Sequence, residues 1–408
     1  MKCGLLGGKL GHSYSPQIHS HLGTYPYGLY EKQPEELADF LQNCDLTGFN
    51  VTIPYKKDVI PYCAELSPRA LAIGAVNTVV RRNDGSFIGH NTDYFGFEMM
   101  LRSSGLSVAN KKVLVLGSGG ASKPVVAVLT ELGANVVNVS RSGENNYENL
   151  DRHADTAVIV NTTPVGMFPK TGTAPLDIRR FPKLEGVLDA IYNPARTQLL
   201  LDAEAMGLVA VNGLLMLVAQ AKESAEWFTG SPIDDAKINE IHRILRCETE
   251  NIILIGMPGC GESTVGALLA AKTGKKFVDA DTFLVEKFGR TIPEIFAAGG
   301  EEVFRSMETE VLAELGKQSG LIIATGGGCV TREHNYPLLH QNGTIFCLTR
   351  DLDKLPTDGR PLSKASTLAQ MYRVRQPMYQ RFADHMIDNN GTASGTVGQI
   401  LKILEENQ

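Results

Sequence analysis

At 408 residues the chain exceeds one ordinary core, and a prior of about 150 residues per domain points to two or three domains. With 43% hydrophobic and 21% charged residues, a formal net charge of −6 and no lysine- or arginine-rich run, it is an ordinary globular sequence for which neither nucleic acid nor an anionic membrane is an expected partner. The first residues have too short an apolar run for a signal peptide, and no stretch reaches the ~18 apolar residues of a membrane span, so the expected compartment is the cytoplasm.

In chain order, β-rich runs at 48–53, 113–116, Asn135–Val139, 156–160 and 186–188 alternate with helical patterns at 34–42, 123–131 and 213–225. That alternation predicts parallel α/β sheets. Residues 233–250 pass from a helical pattern (Ile238, Ile241, Ile244, Leu245) to the polar Cys-Glu-Thr-Glu-Asn, which places a domain boundary near 246–250 on a short linker. After it, 252–255, Leu321–Ala324 and 344–348 read as short buried strands separated by helices. The seven cysteines, Cys3, Cys44, Cys63, Cys247, Cys260, Cys329 and Cys347, are scattered and form no C-x-x-C pair, so they read as reduced packing residues.

The run Val113-Leu114-Val115-Leu116-Gly117-Ser118-Gly119-Gly120-Ala121-Ser122 is a strand, a glycine turn and a helix start. Such a turn sets a pyrophosphate on free helix N–H groups. At the end of the next strand, Ser140-Arg141-Ser142 stands where an enzyme using NAD would place an acidic residue for the ribose hydroxyl, and arginine between hydroxyls suits the 2′-phosphate of NADP(H). The simpler alternative for Arg141 is a solvated turn residue.

The run Asn251-Ile252-Ile253-Leu254-Ile255-Gly256-Met257-Pro258-Gly259-Cys260-Gly261-Glu262-Ser263-Thr264 is a second strand and glycine loop, with the spacing of a phosphate-binding P-loop. Gly256, Gly259 and Gly261 let backbone N–H groups close around phosphate, and the Ser263-Thr264 pair carries the hydroxyl that ligates Mg²⁺. Where the pattern calls for lysine the chain has Glu262, which points a carboxylate at a triphosphate.

Residues 1 to about 247 resemble shikimate dehydrogenase through six blocks in family order: Gly11-His12-Ser13-Tyr14-Ser15-Pro16, Asn50-Val51-Thr52-Ile53-Pro54-Tyr55-Lys56, Gly74-Ala75-Val76-Asn77-Thr78, Gly89-His90-Asn91-Thr92-Asp93, Asn161-Thr162-Thr163-Pro164-Val165-Gly166-Met167 and Asn212-Gly213-Leu214-Leu215 running on to Gln220. The resemblance implies reduction of 3-dehydroshikimate to shikimate with NADPH, with Ser13, Ser15, Thr52, Asn77 and Gln220 holding the substrate and Lys56 and Asp93 as the catalytic pair. A ketone taking up hydride builds charge on its oxygen, which an ammonium stabilises and protonates while a carboxylate orients it. The family often has alanine at Ser118 and asparagine at Ser140.

Residues 251 to about 405 resemble shikimate kinase through Val278-Asp279-Ala280-Asp281, Gly300-Glu301-Glu302-Val303-Phe304-Arg305-Ser306-Met307-Glu308, Ala324-Thr325-Gly326-Gly327-Gly328, Asp358-Gly359-Arg360-Pro361-Leu362 and Arg375-Gln376-Pro377-Met378-Tyr379. This implies 3-phosphorylation of shikimate by ATP. By that resemblance Ser263 and Asp279 organise Mg²⁺, Asp281, Arg305, Gly326, Gly327, Gly328 and Arg375 bind shikimate, Asp281 also serves catalysis, and Arg360 is a lid arginine closing on the phosphates. The stretch 350–358 is short beside the family's, and Asp279 or Arg375 seen alone would read as a strand end or a solvated helix face.

The expected architecture is therefore α/β throughout: a substrate-binding domain at 1–100 with 213–247, a Rossmann NADP domain at 101–212, and a P-loop kinase domain at 251–408. The chain reads as a bifunctional enzyme of the shikimate pathway to aromatic amino acids, with the kinase step impaired by Glu262. The alternatives are a non-catalytic shikimate- or nucleotide-binding module in the second half, or quinate as substrate of the first. Oligomeric state and domain orientation are not written in these features.

Overall fold

The computed structural model describes residues 1–11, 13–355 and 365–406. Three sheets carry the chain, in two compact units: one of residues 1–167, 173–192 and 199–242, the other of residues 168–172, 193–198 and 243–408.

In the first unit, β1 (Cys3–Gly7), β2 (Tyr27–Glu31), β3 (Gly48–Val51), β4 (Glu65–Leu66), β5 (Thr78–Arg81) and β6 (Phe87–His90) form a sheet of order β2-β1-β3-β5-β6-β4. This sheet is mixed, which corrects the expectation of parallel strands: β5 runs antiparallel to both β3 and β6. The reason is local. Only Arg82-Asn83-Asp84-Gly85-Ser86 joins β5 to β6, too short for a crossover, and Asp84 accepts from the Ser86 N–H to close a hairpin turn. β3 also ends at Val51, two residues before the expected end.

The second sheet holds β7 (Lys112–Leu116), β8 (Asn135–Val139), β9 (Val158–Asn161), β10 (Gly186–Asp189) and β11 (Val209–Val211) in the order β11-β10-β9-β7-β8, all parallel. The strand order reverses at β7, so the glycine turn after it opens at the place where such sheets bind ligands. Helices Asp93–Ser104 and Leu214–Thr229 pack on each other, and Gly96 permits the approach: a Cβ there would stand 2.6 Å from the Met216 carbonyl oxygen.

In the second unit, β12 (Asn251–Gly256), β13 (Lys276–Asp279), β14 (Leu321–Ala324), β15 (Gly343–Thr349) and β16 (His385–Asp388) form the parallel order β13-β14-β12-β15-β16. β12 is central and wholly buried, which is why it reads as an unbroken apolar run.

The segment where the sequence places the boundary is helical up to Thr249. Ala236–Thr249 is one helix that includes Cys247-Glu248-Thr249, and Leu245 is fully buried while its polar neighbours face outward. Lys275 Nζ caps its end, donating to the carbonyls of Glu248 at 3.1 Å and Glu250 at 2.7 Å. All seven cysteines are free thiols, and burial pushes Cys260 up to about 12, away from easy oxidation.

Candidate active sites

β1 and β3 are parallel neighbours, so the loops that follow them leave the same sheet end. Ser13 lies in the loop after one strand with Ser15 opening the helix that follows it, and Thr52 and Lys56 lie in the loop after the other. Lys56 Nζ lies 2.6 Å from Asp93 Oδ2, with the two side chains 14% and 9% exposed. Asp93 is the first residue of its helix and its second oxygen accepts from Asn77 Nδ2 at 2.9 Å. Asn77 also donates to Thr92 Oγ1 at 2.9 Å and to Gln220 Oε1 at 3.4 Å. Lys56, Asp93, Asn77 and Gln220 thus form one hydrogen-bonded group.

Ser13 and Ser15 pair with each other through their hydroxyls at 3.2 Å. Ser15 bonds the Tyr27 phenol, which donates to Asn50 Oδ1 at 2.8 Å, and Asn50 Nδ2 donates to Ser224 Oγ at 2.8 Å. Ser224 reaches Thr92 Oγ1 at 2.9 Å, so a buried polar chain runs from the Ser15 loop to the Asp93 helix. Sequence reading passed over Asn50, Thr92 and Ser224 as binding-site neighbours, although Ser224 lies one helical turn beyond Gln220. It also passed over Tyr192, whose ring lies 5.3 Å from that of Tyr14. Burial pushes the Tyr192 phenol up to about 12. Glu223 beside this chain is raised to about 7 by burial, against the pull of Arg69. Thr52 is half-buried, its methyl against Gly7, where an added Cβ would come within 2.6 Å of it.

The turn Gly117, Ser118, Gly119, Gly120, Ala121 leads into helix Ser122–Glu131. Gly117 has φ 108°, a left-handed value that suits glycine, and a Cβ there would meet Thr162 Oγ1 at 2.8 Å. Lys56 lies beside the turn: a Cβ on Gly120 would be 3.5 Å from its Cδ. Lys123, unassigned by sequence, donates to the Gly74 carbonyl at 2.8 Å and ties the turn's helix to the segment leading to Asn77. Ser140, Arg141 and Ser142 follow β8 with Arg141 exposed. Exposed amides at a helix start with an exposed arginine at the next strand's end fit a 2′-phosphorylated dinucleotide.

In the second unit β12 ends at Gly256 and helix Glu262–Thr273 begins after Gly261, whose φ of 103° folds the loop back over itself. Gly259 lies in that loop, and Ser263 and Thr264 are exposed in the first helical turn. Ser263 Oγ donates to Asp279 Oδ2 at 2.7 Å, while Asp279 Oδ1 caps helix Ala280–Phe288 through the N–H groups of Asp281 and Thr282. Asp279 therefore ends a strand, caps a helix and meets Ser263. Two hard oxygens at this spacing suit Mg²⁺.

Gly326, Gly327 and Gly328 form a platform on which three charged side chains converge. A Cβ on Gly326 would lie 3.1 Å from Asp281 Oδ1, one on Gly328 would overlap the Arg305 guanidinium, and Arg375 Nη1 donates to the Gly327 carbonyl at 3.0 Å. Arg375 is 8% exposed, not a solvated helix residue. Arg305 Nη1 donates to Glu308 Oε2 at 2.8 Å in a buried pair. Glu308 had no assigned role, although its spacing of three puts it on Arg305's helix face. Tyr379 reaches the Gly256 carbonyl at 2.8 Å and also the Gly327 carbonyl, joining the loop to the platform.

Glu262 is 8% exposed, its Oε2 accepting from the Gly261 N–H at 2.9 Å. A carboxylate so placed does not fit an ATP triphosphate. Arg360 lies outside the described residues.

Among the described residues no helix is long and apolar enough to cross a membrane. Residues 5–79 match the family model of the shikimate dehydrogenase substrate binding domain, and residues 258–405 match that of shikimate kinase. A shikimate dehydrogenase (NADP(+)) of Clostridium perfringens is 35% identical over 266 residues, covering 60% of this chain and 98% of the relative. Among solved structures, a chorismate mutase/shikimate 5-dehydrogenase fusion from Clostridium acetobutylicum is 37% identical with TM-score 0.56, covering 60% of this chain and 96% of the other. Shikimate 5-dehydrogenase from Thermus thermophilus, in complex with NADP(H) and shikimate, is 29% identical with TM-score 0.55, covering 60% of this chain and 99% of the other. The chain belongs to the shikimate dehydrogenase family and carries a shikimate kinase domain behind it, a fusion of the two.

Proposed function

We propose that the chain reduces 3-dehydroshikimate to shikimate with NADPH, and that its kinase domain, built for 3-phosphorylation of shikimate by ATP, is strongly impaired by Glu262. In this division 1–100 with 213–247 bind the dehydrogenase substrate, 101–212 bind the dinucleotide and 251–408 form the kinase domain. The observation that carries the dehydrogenase reading is Lys56, bonded to Asp93 and lying against the Gly117–Ala121 turn.

NADPH, when bound, supplies the hydride. Gly117, Ser118, Gly119, Gly120 and Ala121 hold its pyrophosphate, and Ser140, Arg141 and Ser142 its 2′-phosphate. The Lys56 ammonium stands where negative charge grows on the ketone oxygen and donates the proton there. Asp93 keeps that ammonium aimed, and Asn77 holds Asp93 from its other side. Ser13, Ser15, Thr52 and Gln220 supply hydrogen bonds for the substrate carboxylate and hydroxyls.

In the kinase domain Arg305 and Arg375 offer guanidinium forks for a carboxylate, Asp281 a partner for hydroxyls, and Ser263 with Asp279 the oxygens for Mg²⁺. The buried Glu262 carboxylate favours a second reading beside the catalytic one, in which this domain binds shikimate without turning it over.

Two assays on the full chain test the proposal: NADP⁺ reduction with shikimate or quinate, and ADP formation from Mg-ATP with shikimate. The first is expected to be fast with shikimate and the second slow. About 4 Å from phosphate at an effective dielectric near 20 each unit-charge interaction is on the order of 4 kcal/mol, so replacing an ammonium by a carboxylate loses one attraction and adds one repulsion of that size before Mg²⁺ screening. Glu262→Lys should therefore raise kinase kcat/KM by roughly a thousandfold and leave dehydrogenase rates unchanged. Equal kinase rates with Glu and Lys at 262 would defeat the impairment argument.

A further inference from the structure

The geometry of Glu262 separates two ways in which a phosphate loop without its lysine can fail. In the first, the site only lacks a cation. In the second, it already contains an anion.

Glu262 Oε2 accepts from the Gly261 N–H at 2.9 Å, and a Cβ on Gly256 would stand 2.8 Å from Glu262 Oε1. Oε2 therefore takes the Gly261 N–H, a loop donor that a bound phosphate would otherwise meet, while Oε1 lies against Gly256 at the other end of the loop. With 8% exposure the side chain is folded onto its own loop and not swung into solvent. The loop is also braced around it. Asn389 Nδ2 donates to the Cys260 carbonyl, and the Tyr379 hydroxyl to the Gly256 carbonyl at 2.8 Å.

We propose that Glu262 is a specificity-determining residue, a built-in anion that occupies the β-phosphate place of the loop and makes the domain select shikimate over nucleotide. The proposal rests on the reading of 251–408 as a kinase domain with its Asp281, Arg305 and Arg375 pocket, which lies on the Gly326–Gly328 platform. A polyphosphate has to displace the carboxylate and then stay beside it, so binding is opposed twice. Shikimate meets neither obstacle.

The two failures differ at a neutral side chain. If only the cation is missing, Glu262→Gln and Glu262→Ala bind nucleotide no better than the natural chain. If the carboxylate fills the site, both bind better although neither restores lysine. The measurement is calorimetric titration of the full chain and its Gln, Ala and Lys variants with Mg-ADP, and separately with shikimate. Glutamine matches glutamate in shape and retains an acceptor for the Gly261 N–H, which guards against misfolding in the Ala variant. The expected result is Mg-ADP affinity raised roughly tenfold or more by Gln and by Ala, and further by Lys. Shikimate affinity should stay within about twofold, as expected for a change outside its pocket. Gln and Ala variants binding Mg-ADP as weakly as the natural chain would overturn the inference, as would a natural chain binding it as tightly as the Lys variant. The dehydrogenase half also binds shikimate, so binding by the kinase domain is read as the signal that Arg375→Ala removes, and absence of that signal in all four proteins would overturn the underlying domain reading and the inference with it.

Discussion

Lys56 and Asp93, 37 positions apart in sequence, meet at 2.6 Å between Nζ and Oδ2, and the second Asp93 oxygen is held by Asn77. The pair acts as a unit, so its removal should be non-additive. Lys56→Met is expected to lower dehydrogenase kcat by at least about 10²-fold with little change in KM for shikimate. Asp93→Asn should cost a similar factor and the double variant little more than either. Steady-state kinetics of the three variants check this, and near-full turnover in Lys56→Met would remove the lysine from the chemistry.

Arg141 is exposed beyond β8. Arg141→Ala should raise KM for NADP⁺ by roughly tenfold or more, the scale of a lost charge-assisted phosphate contact. The slower NAD⁺ reaction should hardly change. Equal losses with both cofactors would indicate damage to the fold.

Glu223 gives a pH signature. Burial lifts its carboxyl from the ordinary 4.5 to about 7, with Arg69 opposing. A raised acid contributes full stability below its unfolded value and loses it as pH climbs through the window from 4.5 to about 7. Glu223→Gln removes that loss. It should leave stability unchanged near about pH 4, gain through the window and remain above the natural chain beyond it. The gain is at most about 3 kcal/mol, the pull of the 3.4 Å Arg69 contact being already included in that shift. Thermal unfolding followed from acid to mild alkali decides, and a pH-independent difference would reject the assignment.

Glu308 and Arg305 are 4% and 8% exposed and bonded at 2.8 Å. Burial pushes the Glu308 carboxyl up, against Arg305, so the pair is under tension, yet removing one partner strands the other charge. Glu308→Ala should destabilise the second unit by about 3–5 kcal/mol and weaken shikimate binding there. Denaturant unfolding together with shikimate titration would register both, and an unchanged midpoint would mean that Glu301 suffices for Arg305.

The two glycine loops, the strands before them and the charge reversal at 262 were legible in the sequence because each is a contiguous pattern whose chemistry depends on neighbours along the chain. β7 and β12 announced themselves as apolar runs because both faces of their sheets are covered. The five-residue hairpin between β5 and β6 also had a local signal, Asn83-Asp84-Gly85, but the strand-helix alternation around it suggested a uniformly parallel sheet. At the polar end of helix Ala236–Thr249 the sequence showed the polar residues but not that Leu245 beside them is buried.

What only the tertiary structure decided are relations between distant segments. Hydrogen bonds leave no trace in spacing, so the chain from Ser15 through Tyr27, Asn50 and Ser224 to Thr92, and the platform where Asp281, Arg305 and Arg375 meet Gly326–Gly328, required folded coordinates. The sequence alone determined that a carboxylate replaces the P-loop cation. That this carboxylate turns inward onto Gly261, and does not project into solvent, was decided by the packing of β12 and its helix around the loop, because a side chain's direction depends on the surroundings that exclude its alternatives.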